Sequence, residues 1–275
     1  MDETFEVFKK PPLETKIWRY MDFTKLVSVL SKSALHFTRE DLLDDAFEGS
    51  IPKAFRPKIT SEIKTLCKEL FPKDYDKKLK EIRSAHNSIQ QPHSKMVKAD
   101  RKLTFINSWH MNEFESVAMW RLYLKSGEGI AFQSTLKRLS ESFTNKDRIL
   151  FGMINYVGDY TKDLSINNFN KITFWHLSYP FFFKRKCFEY EKELRAVILT
   201  EPVTEKAKKQ YLTKRGIRGM PEGLDEPVDL HMLVEKIYVS PTAEKWFGEL
   251  VKSVVEKYGF NIAVVPSPLA DNPTF

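Results

Sequence analysis

Polar and apolar positions alternate most regularly over residues 188–198. Read as a β-strand with period two, this stretch puts Tyr190, Leu194, Ala196 and Ile198 on one face. Glu189, Glu191, Glu193 and Arg195 fall on the other face. Side chains two apart on a strand lie roughly 6–7 Å from each other. Carboxylates at that spacing call for a cation facing them. The pattern therefore fits either the floor of an active site or an ordinary exposed strand.

Elsewhere the apolar pattern predicts short strands at 17–20, 34–39, 103–110, 129–134, 149–157, 235–240 and 261–266. Helices are predicted between them. One follows an Asp22 or Thr24 cap and carries Leu26, Val27 and Leu30 on one face. Others are expected from Ser116 to Leu124, from 135 to 143, over most of 163–182, and from Thr242 to Tyr258. Ile59, Ile63, Leu66, Leu70, Leu79 and Ile82 recur at helical spacing and predict two helices broken near Pro72. Residues 203–232 have little apolar periodicity and hold three glycines and two prolines, so they read as a long surface loop. The sum is one α+β (mixed α/β) domain over residues 1–275. Its centre is a mixed or antiparallel sheet of about eight strands, interrupted by a helical insertion at 53–103.

Charge sharpens the picture of that insertion. The formal net charge is +7. Residues 53–102 contain 14 Lys and Arg against 6 Asp and Glu, enough to account for all of it. Such a segment suits a nucleic-acid or protein partner, or it is simply a solvated helical face. The 13% aromatic content argues against a disordered chain. Two cysteines outside any CxxC pair point to a reducing compartment and away from a zinc ribbon. The six histidines lack metal-ligand spacing, so no metal is expected. No apolar stretch has the roughly 18 residues of a spanning helix, and residues 1–12 lack the apolar core of a secretory signal. A soluble cytoplasmic protein with no membrane partner is expected, its oligomeric state left open.

Three further strand-like positions could serve the carboxylates: Arg19, His36 with Thr38, and Ser108 with His110. An arginine grips phosphate in a bidentate manner. A hydroxyl or imidazole positions a ribose hydroxyl, and a glutamate stabilises positive charge on a sugar carbon. That set suits cleavage of a dinucleotide glycosidic bond through an oxocarbenium-like transition state. A metal nuclease wants an acid and a lysine two apart on one strand. Lys192 lies between Glu191 and Glu193, on the opposite face of a strand, which argues against one. Neither GxGxxG nor a P-loop is present.

The chain resembles a bacterial family catalogued only as a domain of unknown function. The resemblance rests on Trp18-Arg19-Tyr20, on Leu35-His36-Phe37-Thr38 with Asp44-Asp45-Ala46-Phe47-Glu48, on Met119-Trp120 with Tyr123, and on Tyr190-Glu191-Lys192-Glu193-Leu194-Arg195. Asp44-Asp45-Ala46 departs from the family's Asn-Asp-Pro. The order of these residues also resembles the ADP-ribosyltransferase superfamily. That resemblance implies NAD as substrate, gripped by Arg19 with Tyr20, His36, Thr38 and Ser108 around it. It implies Glu193 on the nicotinamide ribose and Glu191 activating the acceptor, in a bacterial toxin or phage-defence setting. The alternative from another class is a non-catalytic protein that uses the basic insertion to bind nucleic acid or a protein.

Overall fold

The computed structural model describes residues 9–45, 47–49, 61–72, 74–84, 100–124, 127–158, 179–200 and 220–271. The first strand, β1 (Lys16–Asp22), runs into helix α1 (Phe23–Lys32), which returns the chain to β2 (Ala34–Arg39). The Asp22 carboxylate caps α1 by accepting from the Lys25 N–H at 2.9 Å. Ser33 ends the helix in the left-handed region at φ 46°. The helix buries Leu26, Val29 and Leu30, so its apolar face includes Val29 where the sequence suggested Val27. Helix α2 (Ser61–Leu70) and a second helix at 75–84 follow, separated at Phe71–Pro72 as the sequence predicts. The remaining elements are β3 (Thr104–Met111), α3 (Val117–Tyr123), β4 (Gly129–Thr135), α4 (Leu136–Ser142), β5 (Ile149–Met153), β6 (Asn155–Val157), β7 (Phe183–Arg185), β8 (Glu193–Leu199), β9 (Gly223–Pro227), α5 (Leu230–Leu233), β10 (Lys236–Val239), α6 (Lys245–Lys257) and β11 (Ala263–Pro266).

Among the described residues nine strands form one mixed sheet, and β6 pairs separately with β7. All pairings in the large sheet are antiparallel except β10 with β11. Strand β3 is its axis. One edge of β3 pairs along its length with β8, from Thr104↔Leu199 to His110↔Glu193. The other edge is shared. Strand β1 takes its end, through Ile17↔Met111 and Trp18↔His110. Strand β2 takes its beginning, through Thr38↔Ile106 and Arg39↔Phe105. Between those two short ladders the sheet forks at Asn107–Trp109. Strands β4, β10 and β11 continue from β1, and β9 continues from β2.

One face of the sheet is the main core. Phe37, Phe105, Trp109, Phe132, Leu194, Ala196 and Ile198 are buried there with the inner faces of α1 and α6. Each large side chain so buried contributes about 1.5–3 kcal/mol before the entropy of ordering is subtracted. A second cluster of Trp18, Tyr20, Met119, Trp120 and Ala131 packs α3 on the opposite face.

Several sequence expectations need correction. Strand β8 begins at Glu193, not at 188. Residues Lys186–Glu191 form a 3-10 turn, and Lys192 closes it at φ 40° in the left-handed region. The alternation over 193–199 is real strand parity, but Glu189, Glu191 and Lys192 do not belong to it. The parity argument against a lysine partner for the glutamates therefore does not apply at Lys192. The expected strand at 149–157 is two strands broken at Ile154. The loop expected at 203–232 contains β9 and α5 in its second half. Strand β9 escaped the apolar pattern because among the described residues it is an edge strand, paired with β2 alone. The first half of the expected loop, 203–219, lies outside the described residues. So do 163–178 of the helix expected at 163–182, and residues 53–60, 73 and 85–99 of the insertion. The end of that predicted helix, Tyr179–Phe182, is a 3-10 turn.

Candidate functional site

The fork leaves β1 and β2 diverging from β3, and side chains replace the missing backbone ladder. The Asn107 amide donates to the His36 carbonyl at 2.8 Å. Arg19 donates through Nη1 to the Ser108 carbonyl at 2.8 Å. Arg19 has the parity of the core face, with Ile17 and Met21, and reaches its partner through the fork. Its guanidinium also lies 5.8 Å from the Trp109 ring centroid. Burial lowers its pKa to about 10, which leaves it cationic at neutral pH. Its other N–H groups have no hydrogen-bond partner among the described residues.

A cleft of about 350 Å³ occupies the fork, a size within the range of small-molecule sites. It is lined by Arg19, Tyr20, His36, Thr38, Ser108, Glu191 and Glu193. The structure thus brings all seven sequence-predicted site residues into one place. Their environments differ. Tyr20 is buried, and its hydroxyl accepts from the Ser116 N–H at 2.8 Å, so only its ring faces the cleft. His36 is exposed at the rim, its Nδ1 2.8 Å from Asp225 Oδ1. Lys32 holds the other oxygen of Asp225 at 2.7 Å. Gly223 makes room for that ring: a Cβ there would stand 2.2 Å from His36 Cε1. Thr38 is half-buried beside the fork.

The carboxylate end is a buried ionic cluster. Ser108 donates its hydroxyl to Glu193 Oε1. Arg195 donates to the same oxygen through Nε at 2.6 Å and to Oε2 through Nη2 at 3.1 Å. Lys184 approaches Glu193 Oε2 at 3.4 Å, Glu191 Oε2 at 2.6 Å and Glu48 Oε1 at 3.2 Å. Arg195 also reaches Glu48 Oε2 at 2.7 Å and the Phe181 carbonyl at 2.8 Å. Among the described residues three glutamates face two cations, a formal excess of one negative charge when all three are ionised. Lys184 and Arg195 fill the space among the carboxylates. Among the described residues no group of three His, Cys, Asp or Glu side chains could hold a metal ion.

The two glutamates part electrostatically. Burial works against charge on Glu193, but Arg195 and Lys184 outweigh it and hold its carboxyl at about 2. Burial also raises Glu191, and Lys184 alone does not reverse that, so its pKa lies above the ordinary carboxylate value. All the hydrogen-bonding capacity of Glu193 is engaged. Glu191 Oε1 has no partner among the described residues.

The sequence marked Glu48 and Tyr123 only as parts of the resemblance motifs, without a site role, and gave no sign of Lys184, Lys25, Ser28 and Asp225. Glu48 and Lys184 stood in plain acidic and basic runs, and only the tertiary fold brings them under Glu193. Lys25 and Ser28 line the cleft from α1, because that helix crosses over the fork between β1 and β2.

No family model matches the chain, so the resemblance to a catalogued family of unknown function goes no further, and no curated protein matches it either. Solved structures similar to the chain include Thermus sp. 2.9 DarT in complex with carba-NAD+, at 9% identity and a TM-score of 0.37, covering 94% of this chain and 98% of that one. They include the same protein in complex with NAD+, at 8% identity and 0.38, over 94% and 97%. A third is that protein in complex with ADP-ribosylated ssDNA, at 8% and 0.37 over the same shares. Likeness at this level carries no argument about the site, whose chemistry follows from its own geometry.

Proposed function

We propose that the chain binds NAD in the fork of its sheet and breaks the bond between nicotinamide and ribose, passing ADP-ribose to an acceptor in the manner of an ADP-ribosyltransferase. The observation that supports this most is the polarity of one cleft. Its floor carries Glu191 and Glu193, backed by Glu48 in a cluster that among the described residues has one carboxylate more than it has cations. Arg19 lies across the fork from that floor, and Lys25 and His36 also line the cleft. NAD has the matching pattern, a pyridinium joined through ribose to a pyrophosphate dianion.

As the glycosidic bond breaks, positive charge moves from the pyridinium onto the ribose carbon. Fixed carboxylates beside that carbon stabilise the transition state more than they stabilise the ground state. Glu193, ionised and immobilised by Ser108, Arg195 and Lys184, supplies that charge. Glu191, whose Oε1 has no partner among the described residues, accepts a ribose hydroxyl or the proton of the acceptor. Arg19 grips a phosphate with the N–H groups it does not spend on Ser108. The Tyr20 ring packs against the nicotinamide, and His36 and Thr38 bound the far rim. The test is nicotinamide release from NAD. The wild-type chain should release it, and Glu193→Gln should do so about 100-fold more slowly. No release by the wild type, or equal release by both, overturns the reading.

A non-catalytic alternative is favoured by one observation. Lys64, Lys68, Lys77, Lys80 and Arg83 are exposed on α2 and the helix at 75–84, as a nucleic-acid-binding surface requires.

A further inference from the structure

His110 stands in the wall of the cleft, on β3 directly opposite Glu193. It is 6% exposed. Its Nδ1 lies 2.6 Å from the Glu191 carbonyl oxygen. A carbonyl oxygen can only accept, so Nδ1 carries the proton and Nε2 presents a lone pair. That Nε2 is buried and has no hydrogen-bond partner among the described residues. Burial also lowers the pKa of the ring, which keeps it neutral near pH 7. A buried acceptor without a donor is uncommon and calls for an explanation. Around it the cleft is lined by Tyr20, Met119, Tyr123 and Glu191. The Tyr20 ring centroid is 6.3 Å from that of His110, with the planes at 61°. Aromatic and thioether side chains thus meet the carboxylates here, and the wall holds a buried acceptor with no donor among the described residues.

We propose that His110 Nε2 accepts the carboxamide N–H of the nicotinamide ring, and so selects NAD over dinucleotides whose pyridine carries no amide N–H. The inference rests on the NAD reading above. An amide donor satisfies the lone pair. A methyl ketone leaves it unpaired, and the carboxylate of a nicotinic-acid dinucleotide sets two acceptors against each other. Sites built around a buried polar group reject analogues that fail to pair with it.

His110 also steadies the Glu191 turn through Nδ1, so the test must separate the two nitrogens. Asparagine places an amide N–H near the position of Nδ1–H and offers nothing at Nε2. Glutamine reaches the Nε2 position with an amide oxygen. We would measure kcat/KM for NAD and for 3-acetylpyridine adenine dinucleotide, in which a methyl group replaces the amide nitrogen. The wild-type chain should prefer NAD by about tenfold or more. His110→Asn should bring that ratio close to one, and His110→Gln should keep part of it. A wild-type ratio near one, or an undiminished ratio in His110→Asn, overturns the assignment while leaving NAD cleavage standing. Absence of both NAD binding and nicotinamide release in the wild type removes the NAD reading and this inference with it.

Discussion

Glu191 and Glu193 are two residues apart, yet their surroundings set them opposite tasks. Glu193 receives Ser108, both arms of Arg195 and Lys184, and stays ionised. Its stability contribution is fully present above the unfolded carboxylate value of about 4.3 and is lost as pH falls toward about 2. Acid unfolding of the wild type should therefore show a component in that window that Glu193→Gln lacks, read as the change in melting temperature from pH 5 to pH 2. Glu191 has one cationic partner among the described residues, Lys184, and an elevated pKa. If it receives the acceptor's proton, the rate of NAD cleavage rises with pH through a limb above the ordinary carboxylate range. Glu191→Gln should flatten that limb, and a limb that survives unchanged argues against the role. Arg195 is 1% exposed and bridges Glu193 and Glu48. Arg195→Met would leave both buried carboxylates short of a partner, at a cost of about 3–5 kcal/mol by urea unfolding. Glu40 behaves in the reverse sense. Burial raises its pKa to about 7, despite Arg101 at 2.5 Å. A raised acid makes the folded state lose stability as pH climbs from about 4.5 to about 7. Glu40→Gln should match the wild type near pH 4.5 and exceed it at pH 8 by about 1–3 kcal/mol.

At the scale of elements, the legible parts of the sequence were those whose pattern reflects burial. The alternation of 193–199 is two-sided, with Leu194, Ala196 and Ile198 in the core and Glu193 and Arg195 in the ionic cluster. Parity alone separates them. Helix α1 was legible because Asp22 caps it and Leu26 and Leu30 lie one turn apart. The turn at Lys186–Glu191 was not legible, because it ends on a lysine in a conformation usually given to glycine. Nor was β9, where Leu224 is the only apolar side chain among Gly223, Asp225, Glu226 and Pro227. Its glycine has a definite task. A Cβ at Gly223 would stand 2.3 Å from His36 Nε2 and 2.9 Å from the Phe37 carbonyl oxygen. The ring can swing aside but the backbone cannot. Gly223→Ala should displace His36 from Asp225 and destabilise the chain by about 1–3 kcal/mol, measured as a lower urea midpoint. The candidate residues themselves were legible as polar side chains on strand-like segments. Their convergence on one cleft was not, because it depends on how β1 and β2 divide one edge of β3.

For the molecule as a whole, the +7 charge raises the question of a polyanionic partner. Among the described residues no helix is long and apolar enough to cross a membrane. If the helices at 61–70 and 75–84 bind nucleic acid, retention of single-stranded DNA should fall steeply between 50 and 200 mM salt, as for any contact made mainly to phosphates. Replacing Lys64, Lys68, Lys77 and Lys80 with glutamate should abolish retention. The rate of nicotinamide release should remain unchanged, because none of the four lines the cleft. Retention that persists in this variant assigns the contact to another surface.

The shared edge of β3 has a consequence for how the cleft can change. Strands β1 and β2 are each fastened to β3 by two residue pairs. A strand can slide along its neighbour only in steps of two residues if its side chains are to keep their faces, and one such step is about 7 Å. The aperture between the two strands is therefore discrete. It cannot be widened by small amounts through the backbone without turning core residues outward. A lineage adapting this cleft to a larger or smaller ligand would have to leave the ladders alone and work by exchanging side chains along its walls.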